Sequence, residues 1–141
     1  MSSPVAVARL LNSLGIVTYD EAGASGDCFT GPLPPEPDLA VSIRQYGGSG
    51  DIKFAQDMPR IQVRVRAATS GEALAKATEI YNALHALSYT VLNPGGDAEA
   101  YLIECRALDL PGDIGADENG RPEFSTNYEI TQIGNSTYRE A

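Results

Sequence analysis

Three of the chain's few cations fall in one short stretch. In RIQVRVRA (60–67), Arg60, Arg64 and Arg66 share one parity with Gln62, while Ile61, Val63, Val65 and Ala67 occupy the other. A guanidinium offers a planar fork of donors suited to carboxylates and phosphates. A stripe of three in a chain with 10 basic and 19 acidic residues, formal charge -9, therefore asks for anionic partners. Within the chain itself, Glu104 and Glu129 are suitable carboxylates if their strands lie beside this one.

The groups that usually carry catalysis do not assemble into a pattern. His85 is the single histidine and falls at the border of a helical apolar stripe, where a structural or surface role is expected. Cys28 and Cys105 are far apart, form no CxxC and have no metal-ligand spacing; reduced thiols are expected, with one disulfide left open. No catalytic residue, cofactor or metal is assigned. GGSG (47–50) lacks the GK[ST] of a phosphate loop. DIGADENG (113–120) fails as a calcium loop, because Gly115 stands where the first Asp belongs and Thr126 where the closing Glu belongs. ENGRP reads instead as a turn in which Asn-Gly supplies a positive φ. Tyr101 and Tyr128 fall on strand faces and read as packing residues rather than stacking platforms for bases.

The elements that would position these residues alternate in kind. Ser3-Pro4 starts a helix over 4–14, with Val7, Leu10, Leu11 and Leu14 at helical spacing and Gly15 as its left-handed stop. Residues 20–38 are rich in Gly, Pro and acids, and predict an extended, edge-running segment with CFTG as its strand fragment. LAVSIRQY (39–46) alternates as a half-buried strand. The stretch 47–58 then reads as a long loop before RIQVRVRA, since hairpin connections usually need about 2–5 residues. A capping box, Thr69 and Glu72, opens a helix over about 70–87, whose apolar face carries Leu74, Ala77, Ile80, Tyr81, Leu84 and Leu87. NPGGD (93–97) is a turn. YLIECRAL (101–108) alternates with Tyr101, Ile103, Cys105 and Ala107 on one side, and a second long loop, 109–122, leads to the strand EFSTNYEITQI (123–133). The tail 134–141 is expected to fray. The order predicts one α+β domain over 1–141: a mainly antiparallel sheet with two helices packed on one face.

At 141 residues such a domain buries roughly two-thirds of its unfolded surface. An acidic chain with pI near 4.4 repels nucleic acid at long range, so nonspecific binding to DNA is not expected. MSSPVAVARLLNSLG has no basic leader, and Arg9 interrupts its apolar run. With no stretch near the ~20 apolar residues of a membrane span, a soluble product made in the cytoplasm is expected.

Three segments, in their order and spacing, resemble the tail terminator, or tail-completion, proteins of long-tailed bacteriophages, a family of minor capsid proteins. They are LPPEPDLAVSIRQYGGSGD, PRIQVRVRAATSGEALAKATEIYNAL and DENGRPEFSTNYEI, within residues 33–133. The resemblance implies a tail-tube-like fold and a virion protein that forms a six-fold ring at the head-proximal end of the tail. It implies as partners further copies of the chain, the tail tube protein and a head-completion connector protein, with DNA crossing the lumen unread and no cofactor or catalysis. In a ring, Arg60, Arg64 and Arg66 gain a second set of possible partners, carboxylates of the neighbouring subunit. The two long segments become candidate ring contacts through Gly47, Asp51, Lys53, Asp57, Asp113, Asp117 and Arg121. Rival readings are a neck or head-completion connector, an acidic DNA mimic that inhibits a nucleic-acid-binding protein, and a small enzyme. The DNA mimic calls for carboxylates in phosphate-like rows, whereas here they cluster in loops. The enzyme lacks a His/Cys/Asp constellation.

Overall fold

The apolar parity of residues 61–67 becomes the centre of the core. A computed structural model of the chain describes residues 3–52, 55–92 and 100–133. Its elements are α1 (Ser3–Ser13), β1 (Cys28–Phe29), β2 (Ala40–Gly50), β3 (Gln56–Arg66), α2 (Ser70–Leu84), β4 (Ser88–Leu92), β5 (Ala100–Ala107), β6 (Gly112–Ala116) and β7 (Pro122–Ile133). The strands form one sheet in the order β1-β2-β3-β7-β5-β4, antiparallel except where β1 runs parallel to β2. β6 and β5 share one edge of β7, β6 along Pro122–Ser125 and β5 along Tyr128–Gln132. Asp109 bridges the gap between them, its carboxylate accepting from both the backbone N–H and the side-chain amide of Asn127.

One apolar cluster joins both helices to the sheet: Val7 and Leu11 of α1, Ala73, Ala77, Ile80 and Leu84 of α2, and Ile61, Val63, Val65, Phe124, Tyr128 and Ile130 beneath them. Complete burial of each large aliphatic side chain here contributes about 1.5–3 kcal/mol. This is the α+β architecture expected from the sequence. Among the described residues, no helix is long and apolar enough to cross a membrane.

The helix ends follow local chemistry. α1 closes with paired bonds, Ile16 N–H to Leu11 C=O and Gly15 N–H to Asn12 C=O, around Gly15 at φ +74°. Leu14, expected on the buried face, follows the last helical residue, Ser13, and is 55% exposed. Thr69 caps α2 by accepting from the Glu72 N–H. The helix ends at Leu84 rather than 87, because Ala86 takes a left-handed backbone (φ 68°) and residues 86–87 then bond to Cys105 across the sheet. Its buried face is turned by one residue: Ala73 is inside and Leu74 is exposed.

Both segments read as long loops contain strand. Residues 47–50 continue β2 and 56–58 begin β3, so the connection shortens to residues 51–55. The glycines hid this strand. Gly47 (φ 140°) sits at a bulge opposite Arg60, and Gly48 (φ 125°) passes so close to β3 that a Cβ would collide with the Met58 carbonyl. In 109–122, residues 112–116 form β6 and hairpin back onto β7 through the turn at Asp117–Gly120. The short β4 was also not expected. In β5, a bulge between Leu102 and Glu104 breaks the alternation, so Leu102 and Cys105 are both buried. The turn at 93–97 and the tail 134–141 lie outside the described residues.

Candidate functional site

β2 was expected to be half-buried, yet Ala40, Val41, Ser42 and Ile43 are all buried. The second cover comes from the proline-rich segment. After β1 has paired beside Val41 and Ser42, residues 31–38 turn across the polar face of the sheet. The Ser42 hydroxyl donates to the Gly31 carbonyl at 2.6 Å. Arg66 donates to the carbonyls of Pro37 (2.6 Å) and Asp38 (3.3 Å). Arg121 reaches the Pro35 carbonyl at 2.6 Å and the Asp38 carboxylate at 3.3 Å. A strap without strand partners of its own is thus fixed by two guanidiniums, which satisfy carbonyls that a sheet would otherwise have paired.

Arg121 is held in turn by Asp117. That carboxylate accepts from the N–H groups of Asn119 and Arg121 and from the Arg121 Nε at 2.8 Å. Burial opposes ionisation of Asp117, but these donors outweigh it and hold its pKa below the ordinary 3.8. The residues once weighed as a calcium loop are therefore a tight turn that anchors a strap. Among the described residues, no group of three or more potential metal ligands comes together.

Between strap and sheet lies an open groove of about 450 Å³. One wall is Pro32, Leu33, Pro34 and Pro35; the floor carries Arg44, Arg64 and Arg66. The three arginines of the sequence stripe have separate surroundings. Arg60 pairs with Glu129 at 3.2 Å, and Arg106 reaches the same carboxylate at 3.3 Å. Arg64 faces Glu123 at 3.9 Å, the limit of an ion pair. Arg66 is only 3% exposed and bonds to carbonyls rather than to a carboxylate. Burial, with Arg121 nearby, lowers its pKa from the ordinary 12.5. The intrasheet partner Glu129 expected from the sequence is present for Arg60; Glu104 lies in β5 opposite Ser88 and Thr131, away from β3.

Arg44 was missed as a site residue. It sits in register with Gln62 on the same polar face, is exposed, and has no ion pair among the described residues. Its parity in LAVSIRQY was the available signal; the pairing of β2 with β3 was not. Of the other candidate contacts, Gly47 and Asp57 lie in the β2–β3 hairpin, and Asp51 closes its turn through its N–H to the Gln56 carbonyl. Lys53 lies outside the described residues. Asp113 is on exposed β6, accepting from the Gly115 N–H at 2.8 Å.

The remaining reactive groups serve the fold. His85 Nδ1 accepts from the Ala107 N–H at 3.0 Å, tying the end of α2 to β5. Cys28 and Cys105 are free, buried thiols, each pushed by burial up to about 12. Tyr128 is fully buried in the core, where desolvation raises its pKa.

The geometry defines a small α+β domain whose polar sheet face holds a proline-rich strap through Arg66 and Arg121. The family model of the bacteriophage tail terminator proteins matches residues 10–132. The chain belongs to that family, and the match takes in residues 10–32 as well as the segments that carried the resemblance. It is a structural component of a phage tail and hence of the virion. Comparison with curated proteins gives no match.

Proposed function

We propose that the protein forms a homomeric ring, six-fold as in the resemblance, at the head-proximal end of the tail, where it ends polymerisation of the tail tube and presents the surface that joins the head. The observation that carries this reading is the family match over residues 10–132. A tube built by heterologous stacking exposes the same adhesive surface after every addition and does not close by itself. A terminator must bind that surface and offer a different one. The two hairpins, β2–β3 and β6–β7, supply the variation, because their turns project from a sheet whose core is fixed by the two helices. In this reading the tube protein and a head connector are the partners on opposite faces. DNA crosses the lumen without being read, and the net charge of -9 keeps it from sticking.

The test is deletion of the gene from the phage, with electron microscopy of the lysate. Filled heads, unjoined tails and some tubes longer than normal are expected. Normal-length tails joined to heads overturn the proposal. Normal-length tails left unjoined move the protein to the neck.

A further inference from the structure

The outer edge of β5 is closed by backbone at one residue and by an imidazole at the next that faces the same way. At Cys105 the carbonyl accepts from the Ala86 N–H at 2.9 Å, and the N–H donates to the Leu87 carbonyl at 2.8 Å. Two residues on, the Ala107 N–H points to the same side and donates to His85 Nδ1 at 3.0 Å. The ring is exposed to water and stacks on Tyr81, with centroids 5.1 Å apart and planes at 13°. Nδ1 accepts only while it carries no proton, so the neutral ring holds its proton on Nε2.

The turn that this bond closes is strained. Ala86 (φ 68°) and Tyr89 (φ 49°) are both left-handed without being glycine. Such a backbone persists only where its surroundings hold it. The charged groups around the turn are engaged elsewhere. On α2, Lys76 pairs with Glu79. On β5, Arg106 pairs with Glu129 of β7, and Glu104 stands in register with Ser88 of β4 and Thr131 of β7. The Asp109 carboxylate is held by Asn127. On the core side, the Cys105 thiol and the Tyr128 phenol are buried. Among the described residues His85 has no ion pair.

Proton uptake turns this acceptor into a donor. An imidazolium carries N–H on both nitrogens, so no rotation of the ring restores the bond to Ala107. We propose that His85 is a proton-operated latch: neutral, it locks the strained turn 85–89 onto β5, and protonated, it releases the turn and loosens the edge strand β4 that follows. The latch is closed above the range in which imidazoles titrate, about pH 5–8, and open below it. It operates within one subunit and does not depend on the ring reading.

Nuclear magnetic resonance on the full chain tests the latch. At the upper pH, the nitrogen shifts of His85 are expected to show the proton on Nε2. The protection of the Ala107 amide, taken relative to the unfolded chain at the same pH, is expected to fall several-fold between about pH 8 and about pH 5, while that of Val63 in β3 holds. His85→Asn places a carboxamide oxygen where Nδ1 sits and does not titrate, so it is expected to keep Ala107 protected at both pH values. His85→Ala is expected to leave it weakly protected at both. A neutral ring with its proton on Nδ1 overturns the proposal. So does wild-type Ala107 protection that is equal at the two pH values, or a fall in His85→Asn as large as in the wild type.

Discussion

Replacing Arg66 by methionine isolates what the strap contributes to the fold. Methionine keeps most of the side-chain volume and removes the charged donors. Two hydrogen bonds from a charged group are lost, one short (2.6 Å) and one long (3.3 Å), each of a kind that contributes about 1.5–3 kcal/mol. The accepting carbonyls belong to Pro37 and Asp38, which are exposed and regain water, so part of the loss is returned. The net expectation is about 2–3 kcal/mol. With an unfolding entropy of about 0.3 kcal/mol/K for a chain of this length, Tm falls by roughly 7–10 °C. Arg60→Met is the control: its partner Glu129 is partly solvated and shared with Arg106, so its loss is expected to be about 0–1 kcal/mol. Thermal melting at one low protein concentration gives the comparison, and hydrogen exchange over residues 30–39 shows whether the strap loosens. Equal Tm losses in the two variants, or an Arg66→Met loss under about 2 °C, refute the assignment of Arg66 as the strap's clamp.

Gly48→Ala places a methyl group against the Met58 carbonyl at a positive φ, and is expected to destabilise by about 1–3 kcal/mol of backbone strain or force the hairpin apart; chemical denaturation reads the first and exchange at residues 46–50 the second. The Asp117 pKa is depressed on folding, so its contribution is full above the unfolded value near 3.8 and is lost as pH falls through the lower folded value. Asp117→Asn should therefore flatten the acid limb of the stability profile measured by melting between pH 5 and 2, and an unchanged acid limb refutes that role.

The core was legible in the sequence because its signals are local. Alternation over 60–67 and 123–133, the Thr69 cap of α2 and the glycine stop at Gly15 each fix a few neighbouring residues, and the structure carries them. The missed features depend on contacts between distant segments. Gly47 and Gly48 look like a flexible loop until β3 lies beside them, when close approach makes glycine necessary. The break at Ala86 carries no glycine to announce it and is fixed by bonds to Cys105. For the site, parity grouped the arginines but could not say that Arg66 turns to the strap, that Arg60 takes Glu129, or that Arg44 completes the groove floor. The Arg60 assignment requires the β3–β7 register, and the others require the strap, a segment whose prolines predicted an extended path but not where it would lie.

A phage tail is made inside a reducing cell and then persists outside it, in air, for as long as the particle waits for a host. The two thiols of this protein are placed so that the change does not matter. Oxidation proceeds through the thiolate, which burial disfavours at both cysteines, and each lies behind the closed packing of β1 or β5. The shelf life of the protein is in this respect decided by the same core that folds it.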